Sequence, residues 1–118
     1  MRTPVDVSIF GDMKPIKTYI YCDGPLAYTI ENGDKTFYVH WYDHNDEGWL
    51  YWVREATPEE FLELENNKIT LKQFIKNASP FYLVIENGEQ TSAFIVNHDD
   101  FPDESYPDPT CYLNREDT

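Results

Sequence analysis

Residues Ile30-Glu31-Asn32-Gly33-Asp34-Lys35-Thr36, IENGDKT, return in nearly the same order as Ile85-Glu86-Asn87-Gly88-Glu89-Gln90-Thr91, IENGEQT. Each copy stands between two runs in which apolar and polar residues alternate. Asn-Gly between such runs is the strongest short-range hairpin signal, because both residues tolerate positive φ. The repeat therefore reads as one way of turning the chain, used twice. Thr36 and Thr91 are strand residues in this reading, not ligands.

Strands can be traced outward from the two turns. Before the first, Leu26, Tyr28 and Ile30 alternate with Ala27 and Thr29. Upstream of the turn signal Asp23-Gly24-Pro25, Ile16, Thr18, Ile20 and Cys22 share one face and Lys17, Tyr19 and Tyr21 the other. After the turn, Lys35–Asp43 (KTFYVHWYD) forms a third strand. The polar loop His44–Gly48 follows, then a fourth strand at Trp49–Val53 (WLYWV). Around the second turn, Phe81–Glu86 (FYLVIE) and Thr91–Val96 pair in the same way. Val5–Phe10 alternates weakly and reads as a short edge strand.

Between the hairpins the period changes. Thr57-Pro58-Glu59-Glu60 combines an N-cap hydroxyl, a proline at the first helical position and a glutamate three residues after the cap. Phe61, Leu62 and Leu64 supply the buried side of a short helix that Asn66-Asn67 ends. Thr70 and Gln73 repeat the cap logic, and Leu71, Phe74 and Ile75 have helical spacing, up to the break at Ser79-Pro80. The order predicts an α+β fold: an antiparallel sheet built of hairpins, with two short helices inserted between the hairpins and packed on one face. Residues 16–54 and 81–97 form the strands, and Thr57–Asn67 and Thr70–Asn77 the helices. Ile20, Leu26, Ile30, Val39, Leu62, Phe74, Leu83, Ile85 and Ile95 are the expected core. Residues 1–97 read as one domain, and residues 98–118 as an acidic, proline-containing tail that docks where Phe101, Tyr106 or Tyr112 allows.

The charge balance is unusual. Twenty-two acids stand against nine Lys and Arg, a formal net charge of -13, while aromatics make up 16% of the chain. That aromatic content supplies the apolar surface needed to offset chain entropy, so a folded domain with a negative exterior is expected. Such a surface repels phosphate backbones and anionic membranes, which argues against direct nucleic-acid or membrane binding and favours a basic protein as partner. The opening MRTPVDVSIF contains Asp6 and no apolar run suited to a signal peptide or spanning helix. Cys22 and Cys111 stand in no metal or redox spacing; the sequence leaves a disulfide between them open and favours two reduced thiols in a cytoplasmic protein.

Catalytic patterns are weak. His40 and His44 are four apart, with Asp43 between them and His98-Asp99-Asp100 elsewhere. On a strand, however, that spacing separates the side chains by about 13 Å. The acids lack the alternating pattern of a calcium loop, no serine sits in a nucleophile elbow, and no glycine-rich phosphate loop occurs. No cofactor, metal or catalytic residue is expected.

Two features suit binding. One is the acid distribution: residues 43–65 hold Asp43, Asp46, Glu47, Glu55, Glu59, Glu60, Glu63 and Glu65 against Arg54 alone. The tail adds Asp99, Asp100, Asp103, Glu104, Asp108, Glu116 and Asp117 against Arg115. Like charges at helical neighbours cost stability, which suggests that the negative field has a use. The candidate partner-binding set is Asp43, Asp46, Glu47, Glu59, Glu60, Glu63, Asp99, Asp100, Asp103 and Glu104. The other feature is a sheet face with Tyr19, Tyr21, Tyr38, Tyr42 and Trp52, which is either core beneath the helices or a surface for a peptide or small ligand.

The turn Tyr21-Cys22-Asp23-Gly24-Pro25, the strand Trp49–Val53, the acidic helix and the step Ile69-Thr70-Leu71 leading into Phe74-Ile75 resemble an uncharacterised bacterial family. Its members carry a Tyr-x-Asp-Gly-Pro turn. The resemblance covers roughly residues 16–96 and implies an α+β fold, with no activity and no functional residue to transfer. By analogy of charge alone, the chain is also similar in character to phage and mobile-element inhibitors, DNA mimics that occupy basic surfaces of nucleic-acid-handling defence enzymes. The leading expectation is thus a non-enzymatic, anti-defence type of binding module, with the aromatic-face binder as the alternative.

Overall fold

A computed structural model describes residues 2–21, 25–78, 80–88 and 90–107. The fold is α+β: a seven-stranded antiparallel sheet with two short helices. Its strands are β1 (Thr3–Val5), β2 (Lys17–Tyr21), β3 (Pro25–Asn32), β4 (Lys35–Asn45), β5 (Gly48–Glu55), β6 (Phe81–Asn87) and β7 (Gln90–Val96). The order across the sheet is β1-β7-β6-β5-β4-β3-β2. Strands β2 to β7 follow as a meander, and β1 closes the far edge by pairing Thr3 with Ile95 and Val5 with Ala93. Pro4, which has no N–H to give, sits in that edge strand, where proline is tolerated.

Both IENG segments are at hairpin tips, with a different division of labour from the one expected. Asn32 pairs with Lys35, and Asn87 with Gln90, so each asparagine ends a strand and the glycine opens the loop. Gly33 and Gly88 have φ of 64° and 62°. In the first hairpin neither Asn32 nor Asp34 has positive φ, which matches a two-residue II′ loop with glycine first. A third tight hairpin joins β4 to β5, where Asn45 pairs with Gly48. The anticipated loop His44–Gly48 is therefore shorter than expected, and His44 and Asn45 belong to β4. Gly48 has φ 128°, and a Cβ there would run into the Glu86 carbonyl, so this position requires glycine.

Helices α1 (Pro58–Glu65) and α2 (Leu71–Lys76) join β5 to β6. Each begins with a capping box: Thr57 with Glu60 and Thr70 with Gln73 satisfy each other's backbone N–H groups. Phe61 and Leu64 of α1 and Leu71, Phe74 and Ile75 of α2 share a buried cluster with Tyr38, Leu50, Trp52 and Leu83. A second cluster brings Phe10 together with Tyr28, Ile30, Phe37, Val39, Val53, Val84 and Ala93.

The predicted core is correct at Ile30, Val39, Phe74, Leu83 and Ile85, which are buried, while Ile20 and Leu26 are half-buried. Leu62 and Ile95 are corrections, at 57% and 38% exposed. In α1 the inward pair is Phe61 and Leu64, and Leu62, one step of about 100° from Phe61, falls outside that stripe. In β7, Ala93 and Val96 are the buried positions, and Ile95 lies between Tyr82 of β6 and the short edge strand's Thr3. Val5–Phe10 is also corrected: only Val5 belongs to the edge strand, and Val7–Phe10 is a 3-10 turn capped by Asp6, whose Oδ1 accepts from Ser8 N at 2.9 Å.

Candidate functional site

The acidic candidates divide into those with internal partners and those without. Glu60 is the most constrained. Its Oε1 accepts from Thr57 N at 2.9 Å, and its Oε2 from Arg54 Nη2 at 2.7 Å. Arg54 is buried, donates from Nη1 to the Phe74 carbonyl at 2.6 Å and from Nε to the Glu55 carbonyl at 3.0 Å, and lies 4.2 Å from the Phe74 ring centroid. Partial burial pushes the Glu60 carboxyl up, but the Thr57 and Arg54 bonds outweigh it, and the net shift is down. Glu60 is thus the counterion of a buried guanidinium. Charge reversal there would leave the buried Arg54 guanidinium without its counterion. The alternation Leu50, Trp52, Arg54 within WLYWVRE is the sequence signal for this role, since it places Arg54 on the buried face of β5.

Glu47, in the β4–β5 loop, accepts a two-pronged bond from Arg2 at 2.8 and 3.1 Å, which holds its carboxyl below the usual range. This pair ties the segment before β1 to the distant hairpin. Glu65 is engaged likewise by Tyr19 Oη at 2.6 Å and Lys17 Nζ at 2.9 Å. Asp43 accepts from the N–H of His44 at 2.8 Å, and Asp100 from the N–H of Asn97 at 3.2 Å within the 3-10 turn His98–Asp100. Asp103 belongs to the next 3-10 turn, Asp103–Ser105. Asp46, Glu59, Glu63, Asp99 and Glu104 are exposed, and their carboxylates make no ion pair or hydrogen bond with another described residue.

The aromatic sheet face resolves toward core. Tyr38 and Trp52 are each 1% exposed. Trp52 stacks on Tyr42 at 4.2 Å and on Tyr106 at 4.8 Å, and meets Phe101 edge-on at 5.4 Å. Tyr38 meets Phe74 edge-on at 5.2 Å. Residues 98–107 thus dock on the sheet through Phe101 and Tyr106, and His98 braces them by contacting the Ala78 carbonyl at 2.9 Å. Tyr112, Cys22 and Cys111 lie outside the described residues, as do Asp108, Glu116 and Asp117.

The two β4 histidines diverge. His40 opposes Trp52 and His44 opposes Trp49, residues on opposite faces of β5, because the register shifts between Trp41 and Asp43. His40 contacts Tyr38 Oη through Nδ1 at 2.7 Å, and burial lowers its pKa to about 4. His44 is exposed and stacks on Trp49 at 4.9 Å. Among the described residues no group of three or more His, Cys, Asp or Glu side chains is placed to hold a metal ion, and no helix is long and apolar enough to cross a membrane. Two hollows among the described residues are open to solvent: one is lined by Arg54, Thr57, Glu60, Asn77 and Pro80, the other by Glu47, Ile85, Gln90 and Phe94. Compared with protein-family models, curated proteins and solved structures, the chain matches none.

Proposed function

We propose that the chain is a non-enzymatic binding module that meets a basic protein through its unpaired carboxylates and occupies a surface that would otherwise hold a nucleic-acid backbone. The charge balance carries this reading. Twenty-two acids face nine Lys and Arg, and Arg2, Lys17, Lys35 and Arg54 are already engaged by Glu47, Glu65, Glu55 and Glu60. The negative field is therefore left to Asp46, Glu59, Glu63, Asp99, Glu104 and acids like them. Such a field speeds encounter with a cationic surface and weakens as salt shortens its range to about 8 Å at physiological strength. In this reading α1 and α2 lie together on one sheet face, with Glu59 and Glu63 turned outward. The partner class is a nucleic-acid-handling defence enzyme, and the site of action is cytoplasmic.

The test is competition. Purified defence nucleases and helicases are loaded with labelled duplex DNA and titrated with this protein, or with its Glu59→Lys/Glu63→Lys variant, at low and physiological salt. Glu60 is kept, because it neutralises Arg54. The reading expects displacement of DNA that falls steeply with salt and drops at least about ten-fold in the variant. Displacement by the variant equal to that by the parent, or no displacement at any salt, refutes it.

A further inference from the structure

We infer that the β4–β5 hairpin carries a recognition site for an arginine side chain of the basic partner, formed by Trp49, the rings of His44 and Trp41 beside it, and the carboxylate of Glu86. The inference rests on the binding reading above and gives it a specific anchor.

Register brings the residues together. His44 is directly opposite Trp49 across β4 and β5, and Trp49 is directly opposite Glu86 across β5 and β6. Directly opposed residues of antiparallel strands share a face, so the order across the sheet is imidazole, indole, carboxylate. The His44 ring stacks on Trp49 at 4.9 Å with 29° between planes, and Trp41 leans on it at 5.8 Å. None of these three rings belongs to either buried cluster. Cross-strand aromatic pairs brace a hairpin, but bracing does not require the larger ring to remain open. Trp49 is 45% exposed, whereas Trp52, three residues along the same strand, is closed off at 1%.

Charge identifies the occupant. Glu86 is exposed, and its carboxylate makes no ion pair or hydrogen bond with another described residue. Asp46 stands at the nearby loop, equally unpaired. Residues 36–53 and 81–96 contain no Lys or Arg, so the strands that build the site supply no cation of their own. The cation nearest the hairpin in the ion-pair network, Arg2, is held by Glu47 and lies over Phe94. An indole face beside an uncompensated carboxylate suits a planar guanidinium, which can stack on the ring while it donates to the carboxylate. A basic partner supplies that group.

The probe is a labelled peptide of alternating Arg and Gly, with a citrulline-for-arginine peptide as the uncharged control of the same shape. Affinity is read by anisotropy at physiological salt, and the indole N–H signal of Trp49 by NMR. The expectation is binding of the arginine peptide alone, a shifted Trp49 signal, and a two- to five-fold loss in each of Trp49→Leu and Glu86→Gln. Glu86→Gln is exposed and shape-conserving, so it decides the matter even if Trp49→Leu fails to fold. Arginine-peptide binding that survives Glu86→Gln without moving the Trp49 signal, yet falls in Glu59→Lys/Glu63→Lys, overturns this site and leaves the binding module standing. Equal binding of the citrulline peptide overturns the cation assignment. Absence of any arginine-peptide binding overturns both.

Discussion

One buried cluster joins Tyr38, Trp52 and Leu83 of the sheet to Phe61, Leu64, Leu71, Phe74 and Ile75 of the helices, with Phe101 and Tyr106 of residues 98–107. In the other, Tyr28, Val39 and Val53 meet Phe10, with Val5, Val7, Ile9 and Met13 of the N-terminal segment around it. The first cover is regular structure with caps and a period. The second is one phenylalanine on a single turn, set edge-on to Phe37 and Tyr82 at 5.1 Å each. Apolar area matters to stability whatever backbone delivers it. What differs is how far the burial depends on one residue, and how visible it is beforehand.

The largest expected effect tests the helix side. Phe74→Ala removes a fully buried ring that touches Tyr38, Phe61 and the Arg54 guanidinium, and should cost about 3–5 kcal/mol in urea unfolding. A loss under about 1 kcal/mol would show that the helices contribute little to that face. Phe10→Ala tests the other side and should cost about 3 kcal/mol, because it removes a fully buried ring set edge-on to Phe37 and Tyr82. If it proves neutral, the second cluster is closed by the sheet itself and the comparison fails.

A pH series sharpens the helix side further. The His40 pKa is lowered to about 4 by burial, against about 6.5 in the unfolded chain. The unfolded state therefore takes up the proton first. Stability from keeping His40 neutral is complete above about pH 6.5, and it is lost as pH falls toward 4. That loss amounts to roughly 3 kcal/mol. His40→Gln should flatten the profile across that window, and an unchanged profile would place the imidazole in water. The smallest effect probes the 3-10 turns: Tyr106→Phe removes the hydroxyl that donates to the His98 carbonyl at 3.1 Å, and should cost about 1 kcal/mol in thermal unfolding.

Much of the helix side was readable because its signals are local. Thr57 with Glu60 and Thr70 with Gln73 declare helix starts within four residues, and Asn-Gly declares a reversal within two. The N-terminal cover was not, since Val7–Phe10 alternates weakly and nothing in it announces a 3-10 turn. The phase of α1 was half readable: Phe61, Leu62 and Leu64 were all candidates, and only packing against the sheet selects two of them. The candidate site was least legible. Glu60 read as a capping partner and a candidate for partner binding, and only the fold shows it serving Arg54. His40 and His44 read as residues of one strand face about 13 Å apart, until an irregularity in β4 put them on opposite faces, a shift that no residue pattern encodes. Trp49 read as an ordinary strand residue beside Trp52.

The pairing of β1 with β7 sets an order of events during synthesis. Strand β1 leaves the ribosome before the other six described strands, yet its one neighbour among them, β7, is the last of them to emerge. Strands β2 to β6 can zip up hairpin by hairpin as they appear. The N-terminal strand must wait, unpaired, until β7 is made. Contacts this distant in sequence are slow to form, so a nascent chain halted after β6 would hold a nearly finished sheet with two open edges, and the protein would gain its final shape in a single late step.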